Sequence, residues 1–142
     1  MVFDYSPFLI EAGKIKEFAK ALQLENPIYM DLEAAKAAGY RGILAPPTFT
    51  TVIDFWNDRN FYQLFEDFLK LNPNNVLHGE QAYEYREVMV AGDSISAQVT
   101  VKDRFHKKGK NFFLLETVYK NQRNETAVIS RATIIEMPEV KP

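Results

Sequence analysis

The second half of the chain carries an alternation of apolar and polar side chains with a period of two residues. The apolar residues of ISAQVTVKDRF fall on one side of an extended chain: Ile95, Ala97, Val99 and Val101. This period is typical of a strand that is buried on one face. Three other segments are predicted to be strands: EQAYEYREVMV, NFFLLETVYK and TAVISRATIIEM. The turn-forming segments AGD, KKGKN and NQRNE separate the four strands. We therefore predict four long antiparallel strands that form a meander.

The first half of the chain has helical periodicity instead. In EAGKIKEFAKAL the apolar side chains recur at helical spacing: Ile15, Phe18, Ala19 and Leu22. Asp31 is suited to cap a short second helix, LEAAKAAG, which Gly39 can end in a left-handed conformation. Prolines at a first turn predict a third, largely apolar helix in PPTFTTVIDFW. The apolar spacing over 61–69 predicts a further helix or a lid.

An apolar helix that precedes four strands needs a concave surface against which it can be buried. We therefore predict an α+β fold, in which a long central helix is wrapped by a curved antiparallel sheet. The chain has 142 residues, which is typical of a single domain. A chain of this size buries roughly two thirds of its unfolded surface without a disulfide or metal.

Composition argues against several classes of function. The net charge is −2 and no basic stripe is present, so we expect no nucleic-acid partner. No apolar run approaches the ~20 residues of a membrane helix, and the first residues lack signal-peptide character, so we expect a cytoplasmic protein without a membrane partner. The chain has no cysteine and only two histidines, so we expect neither a metal site nor a cofactor.

Two longer segments carry a family resemblance. LENPIYMDLEAAKAAGYRGILAPPTF (24–49) and LHGEQAYEYREVMVAGDSISAQVTV (77–101) resemble the MaoC-like hydratases of the hot-dog fold, with weaker similarity over 112–128. The closer resemblance is to the MaoC N-terminal-domain-like group. This group includes the non-catalytic subunit of the heterodimeric (3R)-hydroxyacyl-ACP dehydratase of mycolic-acid synthesis. The resemblance implies one MaoC-like hot-dog domain over 1–142 that pairs with a second hot-dog chain.

The chemistry of that family is hydration of a trans-2-enoyl thioester, or the reverse dehydration. Its catalytic members use a loop Asp and a loop His around one water, and a backbone N–H at the start of the central helix stabilises the thioester oxygen. The resemblance places Leu24, Tyr29 and Pro47 at these three positions. Leucine does not titrate, a phenol is a poor base at neutral pH, and proline has no N–H. We therefore interpret the three positions as vacated.

The resemblance assigns substrate contacts to residues of the loop and of the central helix: Asn26, Pro27, Tyr29, Thr48, Phe49, Val52, Phe55 and Trp56. A structural role is open for each of them. Asn-Pro is a good turn former, and buried aromatic rings usually belong to a core.

Two titratable residues remain as weaker catalytic candidates. His78 precedes Gly79 at the start of a predicted strand, where it can act at a tunnel mouth or serve as a structural histidine. Asp54 lies in the apolar central helix, and some hot-dog thioesterases use a helix carboxylate there. The alternative for Asp54 is a carboxylate that is paired for stability. The basic turn at 107–110 is suited to a CoA phosphate, or is simply solvated.

The predicted function is an acyl-thioester-binding subunit of a (3R)-specific enoyl-thioester hydratase or 3-hydroxyacyl-thioester dehydratase, which itself lacks the catalytic Asp and His. The expected ligand is an acyl-CoA or an acyl-ACP thioester. The expected partner is a second copy or a catalytic MaoC-like hot-dog chain. Two alternatives stay open: a stand-alone acyl-thioester-binding homodimer without lyase activity, and a hot-dog thioesterase that uses Asp54.

Overall fold

The computed structural model describes residues 2–139. The strands are β1 (Val2–Asp4), β2 (Phe8–Leu9), β3 (Val76–Tyr85), β4 (Ser94–Lys107), β5 (Lys110–Lys120) and β6 (Thr126–Glu136). The helices are α1 (Ala12–Ala21), α2 (Leu32–Ala37), α3 (Thr50–Phe55) and α4 (Phe61–Gln63). Single 3₁₀ turns lie at Pro27–Tyr29 and Pro73–Asn75. None of the helices within 2–139 has the length and apolar composition to cross a membrane.

The six strands form one antiparallel sheet in the order β1-β4-β5-β6-β3, and β2 also pairs with β4. The four long strands are confirmed, but the predicted meander is wrong, because β3 pairs with β6 and not with β4. The predicted strand EQAYEYREVMV ends at Tyr85. Beyond it, the backbone of 89–91 bonds to that of 43–45, as in Ala45 N to Met89 O at 2.9 Å. These bonds take the chain away from the sheet before β4 begins.

The sheet curves around α3. Register shifts interrupt three strand pairs, between His78 and Glu80, between Val101 and Asp103, and between Tyr119 and Lys120. Such bulges bend a strand and increase its twist. The concave face that results covers Phe49 and Ile53, both of which are fully buried.

Helix α3 is shorter than the long central helix expected from the sequence. It ends at Phe55, where the side chain of Asn57 stabilises a turn. Asn57 Nδ2 donates to Ser6 O at 2.6 Å, and Asn57 Oδ1 accepts from Arg59 N at 3.0 Å. Because these bonds link the turn to the N-terminal segment, the helix stops after six residues.

The other helices follow their local sequence signals. Asp31 caps α2 by accepting from Ala34 N at 3.2 Å, and Gly39 follows the helix with φ of +94°. Asn60 and Gln63 form a capping box at the start of α4. The chain then continues as a π-helix over Leu64–Phe68. We call residues 61–69 the lid segment.

Asp93 anchors the loop that leads into β4. Its carboxylate is buried and accepts hydrogen bonds from both terminal nitrogens of Arg41, at 3.1 and 3.0 Å. Gln122 Nε2 and Val90 N also donate to it, each at 3.0 Å. Burial opposes ionisation of Asp93, but these hydrogen bonds outweigh burial and hold the pKa of the carboxyl below its ordinary value.

We expect Asp93→Asn to lower the free energy of unfolding by about 1.5–3 kcal/mol at neutral pH, because hydrogen bonds to a charged acceptor are lost. The lowered pKa means that the unfolded chain takes up the proton first as pH falls, so this contribution disappears in acid. Urea unfolding at neutral and acid pH measures both effects. A loss that stays the same across this pH range would contradict the role of the ionised carboxylate.

Candidate functional site

The LENPIY loop is a well-defined turn. Leu24 N donates to Ala19 O at 2.9 Å and closes the end of α1. Asn26 Oδ1 accepts from Ile28 N at 3.1 Å, so Asn26 caps the 3₁₀ turn that Pro27 begins. The turn is joined to the next loop by Leu44 N, which donates to Ile28 O at 3.0 Å. The side-chain oxygen of Asn26 therefore stabilises its own loop.

Tyr29 and Pro47 line the same cleft, which has a volume of about 350 Å³ and which we call the Tyr29 cleft. Tyr85 forms part of its wall, and its hydroxyl donates to Pro47 O at 3.0 Å. Leu24 is not among the residues that line this cleft. Of the three positions that the resemblance matched to catalytic groups, the structure thus brings two together.

The residues assigned to substrate contacts around α3 lie in different environments. Phe49 is fully buried, with its ring 6.4 Å from that of Phe8 and 5.7 Å from that of Phe18. Thr48 is exposed, and Val52 is half-buried beside a shallow groove. The three side chains thus differ in burial, from the core at Phe49 to the surface at Thr48.

Phe55 and Trp56, the last two residues assigned to substrate contacts, are exposed to solvent to different degrees. Trp56 is 69% exposed, and Lys14 Nζ lies 4.2 Å from its ring centroid. Phe55 is 42% exposed, but its ring also lines a second cleft on the inner side of the sheet.

This second cleft, which we call the α3 cleft, also has a volume of about 350 Å³. It lies between the concave face of the sheet, α3 and the lid segment. One wall is aromatic, with the Phe61 centroid 4.7 Å from that of Phe55 and 4.1 Å from that of Phe65. The opposite wall contains polar side chains from three strands and from α3: Asp54, His78, Gln81, Thr117 and Ser130.

Asp54 is a strongly perturbed carboxyl in the α3 cleft. Its Oδ1 accepts a hydrogen bond of 2.5 Å from the hydroxyl of Tyr119, which is fully buried. Burial raises the pKa of Asp54 to about 7, although the bond from Tyr119 acts in the opposite direction. Burial and the nearby Asp54 raise the pKa of Tyr5 and Tyr119, so both phenols keep their protons. A carboxyl that titrates near neutrality and lines a cleft can act as an acceptor or as a proton carrier.

The two histidines lie apart. His78 is exposed and lines the α3 cleft. His106 is exposed on the β4–β5 hairpin, with Nδ1 2.9 Å from Asn111 Oδ1. Lys107 and Lys108 are exposed on the same hairpin, near its turn.

The sequence arguments passed over Tyr119, Thr117 and Ser130, although a signal for two of them was present. In β5 the inward-facing positions alternate, and Phe113, Leu115, Thr117 and Tyr119 are all buried. Two polar residues among four inward positions indicate a polar cavity behind the strand. The partner of Tyr119 lies 65 residues away in sequence, and no local pattern identifies it.

Comparison with known sequences identifies relatives along nearly the whole chain. Residues 1–130 match the model of the family described as FAS1-like, dehydratase domain region. A UPF0336 protein of Leifsonia xyli subsp. xyli is 32% identical over 130 residues, which cover 91% of this chain and 85% of that protein. A UPF0336 protein of Thermobifida fusca is 30% identical over 129 residues, covering 91% and 84%.

Solved structures share the architecture. One chain of the C-terminally truncated HadBC (3R-hydroxyacyl-ACP dehydratase) complex of Mycobacterium tuberculosis superposes with a TM-score of 0.80 at 23% identity, covering 95% of this chain and 94% of that one. The MaoC-like dehydratase of Rhodospirillum rubrum superposes with a TM-score of 0.77 at 22% identity, covering 99% and 93%. At these identities the likeness shows the α+β hot-dog fold. By sequence the chain belongs to the family described as FAS1-like, dehydratase domain region, and by structure it has the hot-dog fold.

Proposed function

We propose that this chain is an acyl-thioester-binding subunit of a (3R)-specific enoyl-thioester hydratase or 3-hydroxyacyl-thioester dehydratase, and that it lacks the catalytic centre. In this proposal residues 1–142 act as one hot-dog domain. A catalytic MaoC-like chain supplies the Asp, the His and the backbone donor, while this chain supplies binding surface for an acyl-CoA or acyl-ACP.

The LENPIY loop is the observation that carries the proposal. The loop keeps a defined shape, because Asn26 caps its 3₁₀ turn and Ile28 O accepts from Leu44 N. The side chains of Leu24 and Tyr29 nevertheless provide neither a carboxylate nor an imidazole, and Pro47 has no N–H. A loop that retains its shape without these groups supports a role in binding and assembly.

The α3 cleft supports the acyl-binding part of the proposal. Its volume of about 350 Å³ lies at the lower end of the range for small-molecule pockets. The aromatic wall of Phe55, Phe61 and Phe65 provides apolar contact for a hydrocarbon chain. The lid segment, which contributes two of these rings, lies over the cleft on the side opposite the sheet.

Strand β3 supports the pairing with a second chain. It lies at the edge of the sheet, and its residues from Leu77 to Ala82 are all exposed. An edge strand of ten residues presents unpaired N–H and C=O groups that natural proteins usually cover. The HadBC structure and the ChsH1-ChsH2 structure of M. tuberculosis are both described as complexes. We propose that β3 pairs with the corresponding strand of a catalytic chain or of a second copy.

The isolated chain is expected to hydrate trans-2-decenoyl-CoA no faster than the uncatalysed rate, because loss of one oxyanion donor alone costs about 10²–10³ in rate. Addition of the catalytic MaoC-like chain of the same organism should form a complex in analytical ultracentrifugation. It should also raise that chain's activity on this substrate. Hydration by the pure protein would contradict the proposal. Binding of the thioester without any effect on the partner would favour the stand-alone homodimer.

A matched pair of variants tests the loop within the mixture. Asn26→Ala removes the cap of the 3₁₀ turn, so we expect it to lower both complex formation and activity. Glu25→Ala changes the adjacent exposed residue and should leave both unchanged. Release of free CoA that disappears in Asp54→Asn would instead indicate a thioesterase.

A further inference from the structure

The α3 cleft contains an acceptor that its neighbours leave free. Asp54 Oδ1 accepts from the Tyr119 hydroxyl at 2.5 Å. Asp54 Oδ2 accepts no hydrogen bond from any residue within 2–139, and it is not sealed from solvent. Because Asp54 lines the cleft, this oxygen is available to a ligand that occupies it.

Among the described residues, the cleft places no permanent positive charge beside Asp54, and its basic side chain is that of His78. The described residues that line the cleft include no lysine or arginine. They do include hydroxyl groups on the adjacent strands, from Thr117 and Ser130. Ser130 Oγ accepts from Gln81 Nε2 at 2.7 Å and keeps its own proton to donate. The polar wall therefore offers one strong acceptor and hydroxyls that can both donate and accept.

A plain hydrocarbon chain fits this wall poorly. Above neutral pH, where Asp54 is ionised, such a chain would displace water from Asp54 Oδ2 and leave a charged acceptor without a partner. An unpaired buried acceptor opposes binding, and a charged one does so more strongly than a neutral one. A hydroxyl group on the chain avoids this loss, because it donates to the carboxylate and can accept from Thr117 or Ser130. An ammonium group has three donors to satisfy and accepts nothing, so it matches these hydroxyls less well.

Tyr29 and Pro47, at positions that the family resemblance matches to catalytic groups, line a different cleft from Asp54, so we expect the thioester to lie away from Asp54. We infer that the α3 cleft selects acyl groups that carry a hydroxyl remote from the thioester, with this hydroxyl donating to Asp54 Oδ2 while the chain packs on Phe55, Phe61 and Phe65. This inference rests on the proposed acyl-thioester function and names the class of acyl group. Asp54 is then a specificity-determining residue, and Tyr119 is the residue that positions its carboxylate.

Calorimetric titration of the full chain at about pH 8.5, where Asp54 is ionised, with two N-acetylcysteamine thioesters tests the inference. The probes are the ω-hydroxydecanoyl and the decanoyl thioester, which differ only in the terminal hydroxyl. We expect the hydroxylated thioester to bind about ten-fold more tightly, as is typical of a hydrogen bond to a charged group.

Two variants separate recognition from structure. Asp54→Leu combined with Tyr119→Phe replaces both members of the buried pair with apolar groups of similar shape, which is compatible with folding. This double variant should lose the ten-fold preference and should bind the decanoyl thioester at least as well as the wild type. Tyr119→Phe alone keeps the carboxylate but removes the hydroxyl that positions it, so it should keep a reduced preference for the hydroxylated probe.

The outcomes distinguish this inference from the proposed function. Equal affinity of the wild type for both thioesters would overturn the inference while leaving acyl binding in place. A preference that survives in the double variant would overturn the role of Asp54. Binding of neither thioester by the wild type would overturn the proposed acyl-binding function as well.

Discussion

Replacement of Phe49 with Ala is expected to lower the free energy of unfolding by about 3–5 kcal/mol, the range for truncating a core Phe. Phe49 is 0% exposed, and its ring packs edge to face against Phe8 and Phe18. The side chain thus connects the N-terminal strand region, α1 and the start of α3. Removal of the ring leaves a cavity at this junction, which rigid neighbours refill only in part.

Trp56→Ala is the matched control, because sequence reasoning placed both aromatic residues at the substrate. Trp56 is 69% exposed, and its described contact is the Lys14 ammonium above its ring. An exposed cation–π contact contributes about 0.5–1 kcal/mol, so the loss should stay near that value. Urea unfolding of both variants gives the comparison. Similar losses for the two would show that Phe49 is not the core residue described above.

Asp54→Asn should stabilise the folded chain above neutral pH and leave its stability almost unchanged in acid. Burial raises the pKa of Asp54 to about 7 in the folded chain, against 3.8 for a free carboxyl. Because the folded chain holds the proton more tightly, this contribution is fully present below ~pH 4 and is lost as pH rises through about 7. The amide cannot ionise and still accepts from Tyr119. At about pH 8.5 we therefore expect a gain of roughly 2–4 kcal/mol.

The measurement is urea unfolding of the wild type and the variant across this pH range. Asp67→Asn is the control, since Asp67 is exposed on the lid segment and its substitution should change stability by less than ~0.5 kcal/mol. Curves for wild type and Asp54→Asn that run parallel from acid to alkaline pH would show that Asp54 ionises as an ordinary surface carboxyl. The result also bears on ligand selection, because only the ionised carboxylate is a strong acceptor.

The sequence alone determined the kind and approximate place of most elements. The alternation around Ile95 and the helical spacing around Ile15 each predicted the right structure, because these patterns depend on which face of one segment is buried. The caps at Asp31 and Gly39 lie within a few residues of the groups they satisfy, so local chemistry was enough. The family resemblance also followed from continuous segments.

The tertiary structure decided which elements meet. The position of β3 beside β6 depends on the ladder between residues 76–85 and 128–136, which are distant in sequence. The opposite environments of Phe49 and Trp56 depend on their neighbours, because Phe8 and Phe18 cover Phe49 while Trp56 lies exposed beyond the end of α3. The pair of Asp54 and Tyr119 forms across 65 residues. Periodicity indicates which face of a segment is buried, but only the packed chain determines which side chain lies opposite. The contact between Asp54 and Tyr119 in the α3 cleft is of this second kind.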